Sequence, residues 1–386
     1  MKYAKRIDKI PPYLFAELDR KKEEVMKRGV DVISLAVGDP DLPTPQRIVE
    51  TLCREAHNPV THRYPSYEGL YEFREAVANW YYRRFGVELD PATEVISLIG
   101  SKEGIAHIYL AFVQTGDLSL VPSPGYPVYN IGTLLADGTP YFMPLLKKNA
   151  FLPELDAIQN EVLNKARLMF INYPNNPTAA VATLEFFQKA VNLARKHGFI
   201  LCHDCAYSEL TYDGYIAPSI LQVEGAKEVA VEFHSLSKTF NMTGWRAGFV
   251  VGNADIVRGL SVVKTNIDSG LFQAIQRAGI TALNEVKDEL IPIKETMERR
   301  RNLIVEGLNS IGWKLKKPKA TFYLWAPVPK GYKSIDFTAR LLDEAGVLVT
   351  PGVGFGDEGE GYFRISFTLP ENRIEEAVNR IGKLKF

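Results

Sequence analysis

The sequence predicts an α/β fold with a mostly parallel central sheet flanked by helices, joined to a smaller α+β domain. Two patterns predict it. Through the middle of the chain, short apolar runs alternate with amphipathic stretches of helical period, as strand–helix units with strands covered on both faces require. Beyond about residue 311 that order gives way to four short strand-like runs mixed with two helical ones, a different kind of region. With 386 residues and 46% hydrophobic content, the chain has ample apolar surface for two cores.

The elements follow in chain order. A helix over 14–28 and a strand over 32–36 are expected to pack on the smaller domain. Runs at 95–98, 118–122, 140–143, 168–172, 199–203, 230–234 and 249–251 read as strands of the central sheet. Helical patterns at 102–114, 183–197 and 254–264 fall between them. A long, charge-rich amphipathic helix over 284–311 leads away from this part. Strands at 313–316, 322–327, 347–350 and 363–367, with helices at 335–345 and 371–384, complete the smaller part. The division expected is a large domain over 45–285 and a small one made of 1–44 and 286–386. There is no internal repeat and no low-complexity linker.

Charge composition narrows the partners. Lysine plus arginine number 46 and aspartate plus glutamate 46, so no basic field draws the chain to nucleic acid or to an anionic membrane. Small molecules or a second copy of the chain are the partners expected. Residues 1–10 lack the unbroken apolar core of a signal peptide, and no apolar run reaches membrane length, which makes the cytoplasm the expected location. Three cysteines offer no disulfide framework. The string Cys202-His203-Asp204-Cys205 is not read as a metal site, because structural zinc needs four closed ligands and the only other cysteine is Cys53. Its thiols are expected to be small core residues.

The most informative stretch runs from Ser235-Leu236-Ser237-Lys238 through Arg246 to Gly248, and returns at once to the apolar Phe249-Val250-Val251. An amine meant for Schiff-base chemistry needs a sheltered seat that lowers its pKa. Hydroxyls and a guanidinium beside it suit a doubly charged phosphate. Together they point to pyridoxal phosphate. The run Gly100-Ser101-Lys102-Glu103-Gly104 follows an apolar strand and opens a helix, so free N–H groups there can face the same phosphate. Asp204 ends a strand and can pair with the pyridine nitrogen. Tyr207, three residues later, and Asn176, in Tyr173-Pro174-Asn175-Asn176-Pro177-Thr178, can hydrogen-bond the cofactor's ring oxygen. Arg364, in the strand-like Tyr362-Phe363-Arg364-Ile365-Ser366, is costly if it faces inward unless it meets a carboxylate. The α-carboxylate of a substrate would answer that need.

The Ser235–Gly248 string resembles the Ser-x-Ser-Lys…Gly-x-Arg-x-Gly signature of fold type I, class I and II aminotransferases, and the likeness covers nearly the whole chain. It implies the fold type I architecture and a ping-pong transfer between an amino acid and a keto acid. Lys238 would be cofactor anchor and base. Tyr126, in Ser123-Pro124-Gly125-Tyr126-Pro127, matches the aromatic that stacks on the pyridine ring, and Arg364 the family's carboxylate clamp. Gly38, in Ala36-Val37-Gly38-Asp39-Pro40, matches a glycine whose backbone lies against the same carboxylate. Tyr64 matches a tyrosine that reaches the phosphate of the neighbouring subunit, which implies a homodimer with shared active sites.

Four further strings look like the bacterial LL-diaminopimelate aminotransferases: Ile10 to Phe15, Gly100 to His107, Ala320 to Trp325, and Thr350 to Gly356. That family moves nitrogen between glutamate and tetrahydrodipicolinate in lysine biosynthesis. The resemblance places Tyr13, Lys102 and Asn266 at the distal end of the substrate. Two positions depart from the pattern: Ala179 stands where glycine is usual and Cys205 where alanine is usual. An alanine at 179 strains the turn if a positive φ is needed there. Aspartate, alanine and aromatic aminotransferases share the catalytic set, although no second arginine lies within 264–269 to take an aspartate side chain. A pyridoxal phosphate lyase or a non-catalytic binding protein of the same fold are the more distant alternatives.

Overall fold

A computed structural model of the chain describes residues 2–12 and 14–386. Its strands are β1 (Ile33–Ser34), β2 (Val95–Leu98), β3 (Leu118–Ser123), β4 (Thr139–Pro144), β5 (Ala166–Asn172), β6 (Ile200–Asp204), β7 (Ala230–Ser235), β8 (Gly248–Gly252), β9 (Tyr323–Pro327), β10 (Val347–Leu348), β11 (Thr350–Pro351) and β12 (Tyr362–Ser366).

A seven-stranded sheet in the order β2-β8-β7-β6-β5-β3-β4 forms the centre, and β8 runs antiparallel to the other six strands. Alternation along each strand sends side chains to two separate cores. Leu168 and Phe170 point to one face with Val231, Phe233 and Val250, where helices Ser101–Phe112, Val128–Leu135 and Ala254–Ile267 cover them. Met169 and Ile171 point to the other with Leu201, Phe249 and Val251, beneath helices Tyr71–Phe85, Leu184–His197 and Gln273–Glu285. Burial on both faces is why these strands read as unbroken apolar runs. Each fully buried residue of the Phe or Leu kind contributes about 1.5–3 kcal/mol.

A third core gathers helices Leu290–Ser310, Ser334–Ala345 and Glu371–Gly382 on the antiparallel sheet β11-β12-β9. Ile304, Phe337, Leu341, Phe363, Ile365 and Ile374 are its centre. Ile33 and Leu35 belong to the same core, because β1 pairs in parallel with β10. The N-terminal strand therefore packs where the sequence places it.

Some elements differ from the sequence expectation. Residues 313–316 form no strand: the backbone N–H and C=O of Leu315 bond the side chain of Asn309, at 2.7 and 3.0 Å, rather than a neighbouring strand. The helix expected over 284–311 begins at Leu290, and a turn at 287–289 separates it from Gln273–Glu285. The strand expected over 347–350 divides, with β10 serving β1 and β11 serving β12. Helices Gln46–Ala56, Tyr71–Phe85 and Val128–Leu135 are additions to the expected set.

Candidate active site

A cavity of about 300 Å³ opens where β5, β6 and β7 end, lined by their last residues, Asn172, Asp204 and Ser235. Open α/β sheets bind ligands at this edge because the strands stop there and the loops splay apart. The chain beyond β7 turns through the short helix Leu236–Thr239, capped by Ser235, whose hydroxyl accepts from the Ser237 N–H at 3.2 Å. This turn sets Lys238 in the cavity wall, where its Nζ donates to the Gly38 carbonyl at 2.8 Å. Burial draws its pKa down to about 8 against the charge of Asp39, with the guanidiniums of Arg364 and Arg246 adding to the effect. Gly38 has to be glycine: a Cβ would stand 2.0 Å from the Tyr323 hydroxyl.

The anion seat lies on the same wall. Ser101 opens the helix Ser101–Phe112, whose first N–H groups and dipole favour negative charge. Gly100, at φ +76, takes a backbone conformation that favours glycine, and a Cβ there would displace Arg246, whose Nη2 it would meet at 2.3 Å. Ser235 pairs with Gly248 across the ladder, and a Cβ on Gly248 would meet the Ser101 nitrogen at 2.9 Å. Three serine hydroxyls, from Ser101, Ser235 and Ser237, thus share the cavity with the Arg246 guanidinium, whose Nη1 donates to the Thr243 carbonyl at 2.8 Å. Burial, then the charge of Arg246, draws the Lys102 pKa down. This donor set fits a phosphate dianion.

At the end of β6 the Tyr129 hydroxyl donates to Asp204 Oδ2 at 2.7 Å, and Asn172 Nδ2 donates to the Asp204 carbonyl at 2.7 Å. The buried Oδ1 has no hydrogen-bond partner among the described residues. Burial pushes the Asp204 pKa up, against the Tyr129 hydrogen bond and the imidazole of His203. An ionised oxygen buried without a donor is expensive. A protonated ring nitrogen in the cavity would supply the missing donor, so these residues fit the pyridine of pyridoxal phosphate. Tyr207 shares a 3.1 Å hydrogen bond with the hydroxyl of Tyr323, and burial keeps its phenol protonated. The Tyr126 ring lines the same cavity and meets Tyr129 edge-on at 6.0 Å.

Asn176 is fixed from both ends: its N–H donates to Asn172 Oδ1 at 2.8 Å, and its own Oδ1 accepts from Arg364 Nη1 at 2.7 Å. Arg364 thereby joins β12 to the central sheet's loops, with Nη2 donating to the Ala36 carbonyl at 2.5 Å. Ala179 does take the left-handed backbone, at φ 57, a conformation costing an alanine roughly 1–2 kcal/mol. The turn persists because Asn175 Oδ1 accepts from both the N–H and the hydroxyl of Thr178, at 2.9 and 2.7 Å, and Asn175 O from the Ala179 N–H at 2.9 Å.

Of the residues singled out in the sequence, the fold thus brings Gly38, the phosphate-seat serines with Lys102 and Arg246, the ring contacts Tyr126, Asn176, Asp204 and Tyr207, and Lys238 and Arg364 to one cavity. Tyr64, 82% exposed, and Asn266, also exposed, do not line it. Tyr13 lies outside the described residues. Sequence reasoning missed Tyr129, Asn172 and Tyr323. Tyr129 stands one helical turn beyond Tyr126, and Asn172 is the last residue of a recognised strand, so both carried a positional signal. Cys202 and Cys205 are buried core residues, 0% and 1% exposed.

Comparison with known proteins bears on this site. Residues 30–381 match the family model described as aminotransferase class I and II. The chain is 58% identical, over the full length of both proteins, to the LL-diaminopimelate aminotransferase of Moorella thermoacetica. It is 57% identical to that of Aquifex aeolicus, covering 99% of each. Among solved structures it resembles substrate-bound BacF from Bacillus subtilis, with a TM-score of 0.96 and 38% identity over 99% of this chain and 98% of that one. No helix among the described residues is long and apolar enough to cross a membrane.

Proposed function

This chain belongs to the aminotransferase class I and II family and is a pyridoxal phosphate-dependent transaminase, and we propose that it is an LL-diaminopimelate aminotransferase, exchanging nitrogen between glutamate and tetrahydrodipicolinate on the way to lysine. The observation that carries the substrate is the 58% identity that extends over the full length of both chains. The catalytic set alone does not choose among amino acids.

Pyridoxal phosphate supplies, when bound, a sink for the electron pair left at Cα and a carrier for the nitrogen. Ser101, Lys102, Ser235, Ser237, Arg246 and the helix N-terminus at Ser101 hold its phosphate. Tyr126 covers a face of its ring, Asp204 keeps the ring nitrogen protonated, and Asn176 and Tyr207 donate to the ring oxygen. Lys238 anchors the cofactor and, once displaced by the incoming amine, takes the proton from Cα. Arg364 grips the α-carboxylate of either substrate, with the Gly38 backbone against it. Lys102, Tyr13 and Asn266 face the distal amino-acid group, the last two from the partner subunit. Tyr64 of the partner subunit completes the phosphate site, so the enzyme works as a homodimer. We place it in the cytoplasm, with a large domain over 45–285 and a small one of 1–44 and 286–386.

Purified holoenzyme given LL-diaminopimelate and 2-oxoglutarate should form glutamate with a kcat/KM at least about 100-fold above that for aspartate, alanine or phenylalanine. A site built for a polar group rejects analogues lacking it by up to about 10⁴–10⁵. Equal turnover of aspartate or phenylalanine would remove the substrate assignment while leaving the reaction class.

The depressed lysine gives a second expectation. Only the neutral amine attacks the cofactor's carbonyl, and Lys238 loses its proton at about 8. The rate at which apo-protein takes up pyridoxal phosphate should therefore climb about tenfold per pH unit well below that value and level off above it. Stopped-flow absorbance measures it. A rate still climbing at the ordinary lysine pKa of about 10.4 would mean the amine is not depressed.

A further inference from the structure

Behind Asp204, on the strands that carry it, lies a buried polar cluster that the transfer chemistry leaves unused. His203 and Glu232 are each 0% exposed and sit opposite one another on β6 and β7. Glu232 receives four donors. Its Oε1 accepts from the Tyr81 hydroxyl at 2.5 Å and from His234 Nε2 at 2.7 Å. Its Oε2 accepts from the Ile220 N–H at 2.9 Å and His203 Nδ1 at 2.7 Å, and the Ser219 hydroxyl, 3.0 Å away, donates to the Tyr81 oxygen at 2.6 Å. So many donors on one carboxyl describe an ionised group. Burial alone would raise its pKa, but the two imidazoles outweigh that and hold it far below the ordinary carboxylate range.

The proton count on His203 follows from its other side. Nε2 lies 2.9 Å from the Tyr173 carbonyl, which can only accept, so Nε2 carries a proton. Nδ1 faces the ionised Glu232, so it carries one as well. An imidazole with both nitrogens protonated is a cation, and it balances the buried Glu232 charge. His234 needs a single proton for the bond it makes. The other titratable groups on this cluster are neutral: burial raises the Cys205 thiol, whose Sγ lies within 4.8 Å of the ligand atoms of His203 and Glu232, and it raises the Tyr81 phenol. With both ring nitrogens committed, His203 has no lone pair for a metal, although His203, Cys205 and Glu232 stand close enough to suggest one.

Neighbours along a strand point to opposite faces. Asp204 lines the cavity and His203 does not, so a charge on His203 acts from behind the carboxylate. We propose that His203 is a buried imidazolium, held between Glu232 and the Tyr173 carbonyl, and that it is a positioning residue keeping Asp204 ionised so that the proton stays on the cofactor's ring nitrogen. The proposal rests on the reading of Asp204 as partner of that nitrogen. The cation stabilises the nearby carboxylate more than it destabilises a ring held beyond it, and so favours the ion pair over its neutral form.

Neutron diffraction from deuterium-exchanged holoenzyme crystals tests the protonation directly, at a pD at least one unit above the ordinary histidine pKa of about 6.5. Deuterium is expected on both nitrogens of His203 and on neither oxygen of Glu232; deuterium on a single nitrogen, or on Glu232, overturns the proposal. The consequence is tested with Glu232→Gln, which removes the carboxylate and with it the second proton on His203. Exchange of the Cα proton of glutamate with solvent, followed by NMR, should slow about tenfold or more, one pKa unit's worth of bias against the ion pair. Following glutamate keeps the choice of diamine out of the test. If Asp204→Ala exchanges at the wild-type rate, the reading of Asp204 falls; if Asp204→Ala is slow and Glu232→Gln is not, the proposal alone falls. Should Glu232→Gln fail to fold, His203→Gln, which keeps an N–H for Glu232 but no charge, is measured instead with the same outcomes.

Discussion

Replacing Lys238 with alanine should remove covalent cofactor attachment and turnover together. A positioned general base contributes about 10²–10⁴-fold to proton transfer. Here the same side chain also anchors the cofactor, so the loss should reach the top of that range, about 10⁴-fold, or exceed it. The environment argues for this double role. An ordinary lysine gains nothing from burial with two guanidinium charges acting on it, and its pKa of about 8 reflects that cost. Its one hydrogen bond described here, to the Gly38 carbonyl, is to a neutral acceptor and is easily exchanged when the amine turns to a carbonyl carbon. Borohydride reduction followed by peptide mass analysis separates the roles: wild-type holoenzyme should carry the reduced cofactor on the peptide containing Lys238, and the variant on no peptide. Phosphate-dependent, reversible cofactor binding should survive in Lys238→Ala, because the serines and Arg246 are untouched. A variant that still carried trapped cofactor, or turned over within tenfold of wild type, would assign both roles to another amine.

What could be read in the sequence follows from what each residue's neighbours are. The strands of the central sheet were legible because burial on both faces leaves most of them almost wholly apolar, as in Met169-Phe170-Ile171, and because four of them end in a polar residue, Ser123, Asn172, Asp204 and Ser235. The stretch at 313–316 misled because Trp313 and Leu315 alternate with lysines as an edge strand would. Alternation provides no partner for backbone N–H and C=O groups, and the Asn309 side chain took them instead. The helix Tyr71–Phe85 escaped notice because its buried positions include Arg74 beside Phe73, Val77 and Tyr81, which blurs the apolar stripe. In the site, residues with diagnostic neighbours in sequence were found, from Ser235 to Arg246. Tyr323 was not, since nothing local marks a tyrosine whose hydroxyl is aimed at Tyr207 from a distant segment. The buried His203–Glu232 pair was hidden for the same reason: the two lie 29 positions apart and meet only through the register of β6 and β7.

Arg364→Lys should cost kcat/KM for both substrates alike, by roughly 10- to 150-fold, the kinetic equivalent of the about 1.5–3 kcal/mol of one hydrogen bond to a charged group. Charge is kept in this variant, so the loss would measure geometry. The guanidinium is 1% exposed and held flat, 4.2 Å from the centre of the Tyr323 ring and 4.7 Å from that of Phe355. Its bonds to Asn176 Oδ1 and the Ala36 carbonyl fix its rotation within that plane. A planar fork so oriented matches a carboxylate with two parallel bonds, whereas an ammonium offers a point charge on a flexible stem. Because every amino and keto acid in the cycle carries an α-carboxylate, the penalty must appear in each half-reaction, chiefly as a raised KM. Cofactor content should be unchanged, since Arg364 lies outside the phosphate seat and the Asp204 pair. Single-turnover measurements with glutamate and with LL-diaminopimelate decide it. A penalty confined to the diamine would move Arg364 from the shared carboxylate to the distal end of the substrate, and the arginine that binds the α-carboxylate would then have to be sought among the others that line the cavity, of which Arg246 is the candidate.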